Sequence, residues 1–262
     1  MKKDFISLKG KNILITGVSR SLGIGTALAT LFANAGANVI THGYSSYDSN
    51  MNYPDATSEF TYEFVKKLKD KGCCIEQLPP SDLSCKGEAQ KVVRDAKNIF
   101  GQLDGLILNH AYSVNAPLLE WTEEHIDKHM NVNVRASMLM SQEFAHQIGE
   151  NGGVITLFTS GQYLGPMVNE IAYATSKEAI RGLSKQLSTA MSGLKIRVNC
   201  VNPGPTDTGW AIEETYNDLL NKFPFKRWGK PEDVAKLVLF LHSDYAQWIT
   251  GQTIASEGGF QR

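Results

Sequence analysis

Strand-length apolar runs alternate with longer segments of helical periodicity along this chain, and this alternation restricts its fold more than any other feature. The predicted strands are 11–16, 38–41, 74–78, 106–108, 154–158, 196–201 and 252–255. The predicted helices are 23–35, 57–71, 86–100, 123–147 (broken near Asn131), 172–191 and 232–242, and a polar insertion occupies 44–56. Alternating β and α elements predict an α/β fold with a doubly wound parallel sheet of about seven strands and helices on both faces.

One domain is expected to span 1–262, because no linker, repeat or low-complexity tract divides the 262 residues. A net charge of −1 provides no basic surface for nucleic acid or for an anionic membrane. No run approaches the roughly 20 apolar residues that span a bilayer, and Met1–Phe5 lacks the features of a signal peptide. The four cysteines lack CxxC spacing, which favours reduced thiols in a cytoplasmic protein.

The segment between the first predicted strand and helix reads TGVSRSLGIG, from Thr16 to Gly25. Glycines allow a sharp turn and a close approach of backbone to a pyrophosphate, and the following helix offers free N–H groups at its positive end. This strand–loop–helix pattern predicts a phosphate-binding loop in a Rossmann fold. Its expected cofactor contacts are Gly17, Ser19, Arg20, Gly23, Ile24 and Gly25.

The residues that follow the second strand favour NADP(H) over NAD(H). Sites for NAD usually place an acidic residue at the end of this strand, where it binds the ribose hydroxyls. The sequence there is THGY, from Thr41 to Tyr44, and contains no acid. Arg20 in the glycine loop could instead pair with a 2′-phosphate. The alternative is that Arg20 is a solvated loop charge and that Asp48 reaches the ribose.

Tyr173 and Lys177 lie four residues apart and share one face of a predicted helix, and Ser160 ends the fifth strand. Reduction of a carbonyl needs a proton donor at the oxygen that gains charge as hydride arrives. A phenol has an ordinary pKa of about 10. The ammonium of Lys177 and an oxidised nicotinamide would both favour the phenolate and lower that pKa. Ser160 could hydrogen-bond the same substrate oxygen. The three residues therefore predict carbonyl reduction or alcohol oxidation.

With these motifs the chain resembles the short-chain dehydrogenase/reductase family over nearly its whole length, from Lys11 to Phe260. Ser160, Tyr173 and Lys177 match the catalytic residues of the family. Asn133 matches its helix asparagine, which holds a water in the proton relay to the lysine. The resemblance also implies cofactor contacts by residues that follow later strands. These are Asp82, Leu83, Asn109, Ala111, Pro203, Gly204, Thr206 and Thr208, together with Tyr173 and Lys177.

The chain departs from the family pattern at three places. The glycine loop holds two extra residues, assigned to Ser21 and Leu22, which would shift the pyrophosphate contacts. His110 and Tyr112 replace an asparagine and a glycine in the motif after the fourth strand, and His110 is expected to substitute structurally for the amide. Glu257 stands where the family often has aspartate.

The resemblance further implies a substrate lid and an oligomer. The segment 209–227 would form the lid, although its near-helical aromatic pattern also fits a helix packed permanently on the core. Family members are commonly tetramers, and a homotetramer or homodimer would use apolar stripes on two helices that could equally be core. The stripes consist of Ala136, Leu139, Met140, Phe144, Ile180, Leu183 and Leu187.

The sequence offers one candidate pair of metal ligands, His125 and His129, four residues apart on a predicted helix. No third ligand lies near them in the sequence, whereas protein metal sites usually need three or four. We therefore expect a pair on the surface and no metal site.

The leading hypothesis is an NADP(H)-dependent carbonyl reductase or alcohol dehydrogenase with a small-molecule substrate, resembling 3-oxoacyl-[acyl-carrier-protein] reductases. Those relatives dock an acidic carrier through basic residues, but Leu139 and Leu194 occupy these positions here, which weakens the assignment of a 3-oxoacyl thioester. An enoyl reductase is one alternative, given the longer glycine loop and Tyr163. Tyr163 precedes Tyr173 by ten residues, as in that branch, but the branch places its lysine seven residues after the tyrosine that corresponds to Tyr173, where this chain has Ile180. A catalytically silent NADP-binding sensor or scaffold is the other alternative.

Overall fold

The computed structural model describes residues 6–51, 53, 55–57, 59–211 and 213–261, so that Met1–Phe5 and Ile212 lie outside the described residues. Its strands are β1 (Asn12–Thr16), β2 (Asn38–His42), β3 (Ile75–Gln77), β4 (Gly105–Leu108), β5 (Gly153–Phe158), β6 (Ile196–Asn202) and β7 (Thr253–Ala255). They form one sheet in the order β3-β2-β1-β4-β5-β6-β7, and its pairings are parallel. The predicted doubly wound α/β fold is confirmed.

Helices connect successive strands and cover both faces of the sheet. They are α1 (Ile24–Asn34), α2 (Ser45–Asn50), α3 (Phe60–Asp70), α4 (Glu88–Phe100), α5 (Glu123–His129), α6 (Ala136–Gln147), α7 (Ile171–Ala190), α8 (Glu213–Leu220) and α9 (Pro231–His242). The break expected near Asn131 is a π-helical turn, Met130–Arg135, which joins α5 to α6. The polar insertion contains α2, which was not predicted because Ser45–Asn50 lacks apolar periodicity. Within the described ranges, no helix combines the length and apolar character needed to cross a bilayer.

Two apolar clusters fill the space between the sheet and its helical layers. One contains Phe32 of α1 and Val238 of α9, and the other contains Phe144 of α6 and Ile180 of α7. β4 is buried at every position, as expected for a central strand covered on both faces. The fully buried members of the predicted apolar stripes are Ala136, Met140, Phe144 and Ile180. The stripes therefore belong largely to the core of the chain itself.

The strand order reverses at β1, which has β2 on one side and β4 on the other. In an open parallel sheet, ligands bind in the crevice outside the carboxyl ends of the strands at such a reversal. The glycine loop follows β1, Asn109 follows β4 directly, and Ser160 lies just after β5. The connectivity thus brings segments that are distant in sequence to one edge of the sheet.

Gly25 packs tightly on the backbone, because a Cβ at this position would lie 2.1 Å from the carbonyl oxygen of Gly17. We expect Gly25→Ala to lower the free energy of unfolding by about 1–3 kcal/mol, since backbone overpacking cannot be relieved by a rotamer change. Gly182→Ala is the control, because a Cβ there meets open space and alanine favours a helix over glycine by roughly 0.5–1 kcal/mol. Urea denaturation measures both, and equal stabilities of the two variants would contradict the tight packing of α1 on β1.

Candidate active site

A cleft of about 630 Å³ opens where β1, β2 and β4 end, and most of the residues expected to bind a cofactor line it. These are Gly17, Ser19, Arg20, Gly23, Ile24, Asp82, Leu83, Asn109, Ala111, Tyr173 and Thr208. The predicted site residues outside its lining are Gly25, Asn133, Ser160, Lys177, Pro203, Gly204 and Thr206. Two of these lie directly against the lining: Asn133 hydrogen-bonds Tyr112, and Ser160 lies beside Tyr173.

Close backbone packing shapes the floor of the cleft. Gly17 has a φ of +72°, and a Cβ on it would lie 2.7 Å from Asn109 Nδ2. Asn109 Nδ2 donates to the carbonyl oxygens of Thr16 and Gly17, 3.2 and 3.1 Å away. No side chain among the described residues caps α1 at Gly23, which leaves its first N–H groups open to an anion. This cradle fits the pyrophosphate of a dinucleotide, which needs a backbone approach that side chains would block.

The loop after β5 and the first turns of α7 bring the predicted catalytic residues together. Ser160 lies beside the Tyr173 phenol, and Tyr173 lines the cleft. Lys177 lies one helical turn further along α7, with its Nζ 5.6 Å from the centre of the Tyr173 ring. The same Nζ donates to the Phe158 carbonyl oxygen at 3.0 Å. Ser160 and Lys177 therefore both lie next to Tyr173.

Burial dominates the ionisation of the tyrosine and the lysine. It raises the pKa of Tyr173 to about 12, with a further contribution from the Glu170 carboxylate and an opposing one from the Ser160 hydrogen bond. Burial also lowers the pKa of Lys177 to about 8. Desolvation of the phenolate therefore sets the phenol pKa of the chain on its own, and its lowering by the ammonium together with an oxidised nicotinamide stays a prediction.

Asn133 lies in the π-helical turn and braces the loop after β4 against α7. Its side-chain oxygen accepts from the Tyr112 N–H at 2.7 Å, and its Nδ2 donates to the Tyr112 carbonyl oxygen at 2.9 Å. Nδ2 also lies 2.8 Å from Ser176 Oγ, and the Asn133 carbonyl oxygen accepts from Ser137 Oγ at 2.7 Å. Asn133 thus has a structural role in addition to the water-holding role that the family resemblance implies.

His110, which replaces a family asparagine, has a hydrogen-bonding neighbour at each ring nitrogen. Nδ1 lies 2.8 Å from Thr16 Oγ1, and Nε2 lies 3.4 Å from Ser137 Oγ. Burial, assisted by the charges of Lys177 and His42, lowers the pKa of His110 to about 3. The ring is therefore neutral near pH 7, and its contacts support the expected structural substitution.

His125 and His129 pack against each other, with ring centres 4.6 Å apart. The prediction of a surface pair is wrong for His129, which is fully buried and meets the Tyr112 ring edge-on at 4.7 Å. His129 Nε2 accepts from the Val114 N–H, and Nδ1 lies 2.7 Å from the His125 carbonyl oxygen. Both ring nitrogens of His129 are thus committed to the backbone, an arrangement unsuited to holding a metal ion.

The polar segment after β2 forms a wall of the cleft. Tyr47 Oη donates to the Ser113 carbonyl oxygen and accepts from the Ser113 N–H, both at 3.0 Å, and so joins α2 to the loop after β4. Asp48 is buried and accepts a hydrogen bond from Ser19 Oγ. No acid ends β2, as predicted, but Asp48 stands beside the glycine loop, as the alternative in which it reaches the ribose requires.

Arg20 is buried under the same segment rather than solvated, which excludes the alternative of a free loop charge. Its guanidinium forms an ion pair with Asp55 at 2.8 Å and donates to the Thr208 carbonyl oxygen. The Tyr53 ring lies 3.5 Å from the guanidinium carbon. Neither Tyr53 nor Asp55 was predicted to belong to the site, because no local pattern connects them to the glycine loop.

The segment after β6 is shaped by a contact with the C-terminal end of the chain. Gly204 has a φ of +63°, and a Cβ on it would lie 2.3 Å from the Cβ of Glu257. Asn202 Oδ1 accepts from the Gly204 N–H at 2.9 Å, and Asn202 Nδ2 donates to Glu257 at 3.2 Å. Glu257, which stands where the family often has aspartate, therefore accepts a hydrogen bond from the Asn202 side chain at this turn.

The predicted lid, 209–227, contains α8, which has no buried residue among those described. Aromatic residues of the lid nevertheless pack on Trp228. The Tyr216 ring stacks on the Trp228 ring, with 4.6 Å between the ring centres. Trp210 and Phe223 lie 5.8 and 5.7 Å from the same ring, and Trp210 also lines the cleft. The segment is thus exposed along α8 and anchored at its aromatic side.

The low pKa of Lys177 means that its charged form destabilises the fold at neutral pH. We expect Lys177→Met to raise the free energy of unfolding at pH 7 by about 1–3 kcal/mol, net of the lost hydrogen bond. Above about pH 8, folded wild-type protein releases this proton while the unfolded chain keeps it, so wild-type stability rises and the difference shrinks toward about pH 9.5. Urea denaturation of wild type and Lys177→Met at pH 7 and at about pH 9.5 measures the difference in their free energies of unfolding. A difference that does not change with pH would contradict this account.

Comparison with known proteins agrees with the geometry of the cleft. A family model described as Enoyl-(Acyl carrier protein) reductase matches residues 17–261. The "uncharacterized oxidoreductase YjdA" of Bacillus subtilis is 37% identical over 255 residues, covering 96% of this chain and 97% of the relative. The 3-oxoacyl-[acyl-carrier-protein] reductase FabG of Thermotoga maritima is 31% identical over 260 residues, covering 96% and 98%. A short chain dehydrogenase from Burkholderia cenocepacia, crystallised in complex with NADP, superposes with a TM-score of 0.85 at 30% identity, covering 96% and 98%. This chain is an oxidoreductase of the short-chain dehydrogenase/reductase family.

Proposed function

We propose that this chain is an NADP(H)-dependent reductase or dehydrogenase that interconverts a carbonyl and an alcohol in a small molecule. The observation that carries the proposal is the position of Ser160 beside the Tyr173 phenol at the cleft, with Lys177 buried one turn further along α7. When bound, the nicotinamide supplies or accepts the hydride. The chain itself has to position the substrate oxygen and move a proton to or from it.

Tyr173 would act as the acid in reduction and as the base in oxidation. Its raised pKa keeps the phenol protonated, ready to donate to an oxygen that gains negative charge. Ser160 would hydrogen-bond the same oxygen and stabilise that charge. The Lys177 ammonium favours the phenolate that remains after proton transfer, and Asn133 would hold the water that reprotonates it through Lys177.

A nicotinamide dinucleotide fits the cleft in several independent ways. Gly17 and the uncapped start of α1 would hold the pyrophosphate, and Asp82 with Leu83 would contact the adenine. His42 Nδ1, buried in the wall of the cleft, has no hydrogen-bond partner among the described residues and would be available to the adenosine. Pro203, Gly204, Thr206 and Thr208 would contact the nicotinamide. Arg20 at the cleft, and the NADP complex of the Burkholderia cenocepacia relative, support NADP(H).

The chemical class of the substrate is inferred from the aromatic residues of the predicted lid. Trp210 reaches from 209–227 into the cleft wall, and the aromatic residues behind it favour a partly apolar substrate. The Thermotoga maritima relative named a 3-oxoacyl-[acyl-carrier-protein] reductase supports a 3-oxoacyl thioester as one candidate. The absence of basic residues at Leu139 and Leu194 argues against docking of an acidic carrier. We further propose a cytoplasmic homodimer or homotetramer built from single-domain chains.

Enoyl reduction is the second candidate, because the matching family model is described as an enoyl reductase. In that arrangement Tyr163 would belong to the site together with Tyr173, and a lysine would stand at position 180. Tyr163 is not among the residues lining the cleft; it packs under Arg181, and its Oη is 3.4 Å from Asn202 Nδ2. Ile180 is buried in the apolar core. These positions favour carbonyl chemistry at Tyr173.

The test follows NADPH and NADH oxidation against ketones, 3-oxoacyl thioesters, quinones and enoyl thioesters. We expect turnover of a carbonyl substrate with NADPH, and a loss of about 10²–10⁴-fold in Tyr173→Phe, because the proton donor is removed. Cofactor affinity should change little in this variant. Tyr163→Phe is the matched control and should stay close to wild type. Loss of activity in Tyr163→Phe alone would support enoyl reduction, and tight NADPH binding without any turnover would favour the silent sensor.

A further inference from the structure

The Arg20 guanidinium, which the proposed function assigns to a cofactor phosphate, already has an anionic partner within the protein. Nε and Nη2 both donate to Asp55 Oδ1, at 2.9 and 2.8 Å, and Nη2 also donates to the Thr208 carbonyl oxygen. The Tyr53 ring covers one face of the group at 3.5 Å. Counting only the described part of the chain, Nη1 is the one nitrogen of this guanidinium without a hydrogen bond.

Asp55 is anchored independently of Arg20 by the two extra residues of the glycine loop. Its Oδ2 accepts from the Leu22 N–H at 2.8 Å and from Ser21 Oγ at 3.4 Å. The side chains of Arg20 and Asp55 are only 9% and 10% exposed, so solvent screens the pair weakly. Burial acts to raise the pKa of Asp55, but the Leu22 N–H and the Arg20 guanidinium outweigh it and hold the pKa below its ordinary range. Asp55 is thus a fixed anion at neutral pH.

The other carboxylate of this wall is arranged differently. Asp48 accepts its hydrogen bond from Ser19 Oγ, and its contact with Arg20 is limited to the longer-range attraction of opposite charges. Asp55 is therefore the carboxylate that occupies the donors of Arg20, and the segment after β2 carries it there. The two extra residues of the glycine loop, which have no counterpart in the usual family motif, supply its second set of contacts.

We propose that Asp55 sets the cofactor preference of this chain by competing with the 2′-phosphate of NADP(H) for Arg20. Asp55 takes the Nε–Nη2 edge that a phosphate would use for a two-pronged contact, and its charge repels a phosphate beside the same guanidinium. NADP(H) has to displace Asp55 or to use Nη1, whereas NAD(H) carries no phosphate at this position. The inference rests on the proposed function and narrows it: the preference for NADP(H) is weaker than Arg20 alone would produce.

Calorimetric binding to the full chain tests this without turnover. The probes are NADPH against NADH, and adenosine 2′,5′-bisphosphate against adenosine 5′-monophosphate, so that each pair differs by the 2′-phosphate alone. In Asp55→Asn, we expect the preference for the 2′-phosphate to rise at least about fivefold, because the competing charge is removed. The amide oxygen of asparagine can still accept from the Leu22 N–H, and the melting temperature of the cofactor-free variant reports whether the loop survives. Asp95→Asn, which breaks the exposed pair with Lys91, is the charge-matched control and should leave the preference unchanged.

A double variant distinguishes competition between Asp55 and the 2′-phosphate for Arg20 from a purely structural role of Asp55 in the glycine loop. In an Arg20→Ala background, Asp55→Asn should change the preference much less, because the shared partner is gone and only the repulsion between Asp55 and the phosphate is left. An unchanged preference in Asp55→Asn, or an equal loss of affinity for both members of each pair, would overturn the inference.

If Asp55→Asn does not fold, Asp55→Glu takes its place. This variant keeps the charge and should retain the wild-type preference for the 2′-phosphate. A rise in that preference like the one expected for Asp55→Asn would overturn the proposal. Binding of none of the four probes by wild type would overturn the proposed function, and this inference with it.

Discussion

The close packing of α1 against the end of β1 is the constraint on which the rest of the site depends. Gly25 lies so near the Gly17 carbonyl that no side chain fits between them, and Asn109 fixes the same backbone from the neighbouring strand. This contact directs the open N–H groups at the start of α1 into the cleft. It also joins β1 to β4 at the point where the strand order reverses, so the cofactor cradle and the site around Tyr173 share one rigid edge.

The parts of the site that could be predicted are those fixed by regular geometry. Tyr173 and Lys177 share a helix face because they are four residues apart, and Ser160 joins them because parallel strands end at the same edge. The wall formed after β2 could not be predicted in this way. Ser45–Asn50 and Asp55 have no apolar periodicity, and their partners, Ser19, Arg20 and Ser113, lie far away along the chain. Polar contacts between irregular segments leave no local signature in a sequence.

Ionisation states were the other feature beyond the reach of the sequence. The spacing of Tyr173 and Lys177 identifies two interacting groups, but the sign of each pKa shift depends on how deeply each is buried. Burial moves both pKa values against the charged form, and it does the same for His110. His129 illustrates the same limit, since a helix position that looked exposed lies under the Tyr112 ring. The site therefore holds most of its polar groups uncharged or tightly paired, and Lys177 is the exception because its pKa of about 8 leaves it charged at neutral pH.

The π-helical turn at Met130–Arg135 fixes the number of residues that can join α5 to α6 in this chain. A π turn accommodates an extra residue, and one residue corresponds to a rotation of about 100° around a helix axis. Asn133 meets Tyr112 and Ser176 from within this turn, while Met140 and Phe144 on the continuing helix still point into the core. Loss or gain of a single residue here would turn one of these two faces away from its partners. A change in length between α5 and α6 would thus cost the chain either the contacts of Asn133 or the packing of Met140 and Phe144.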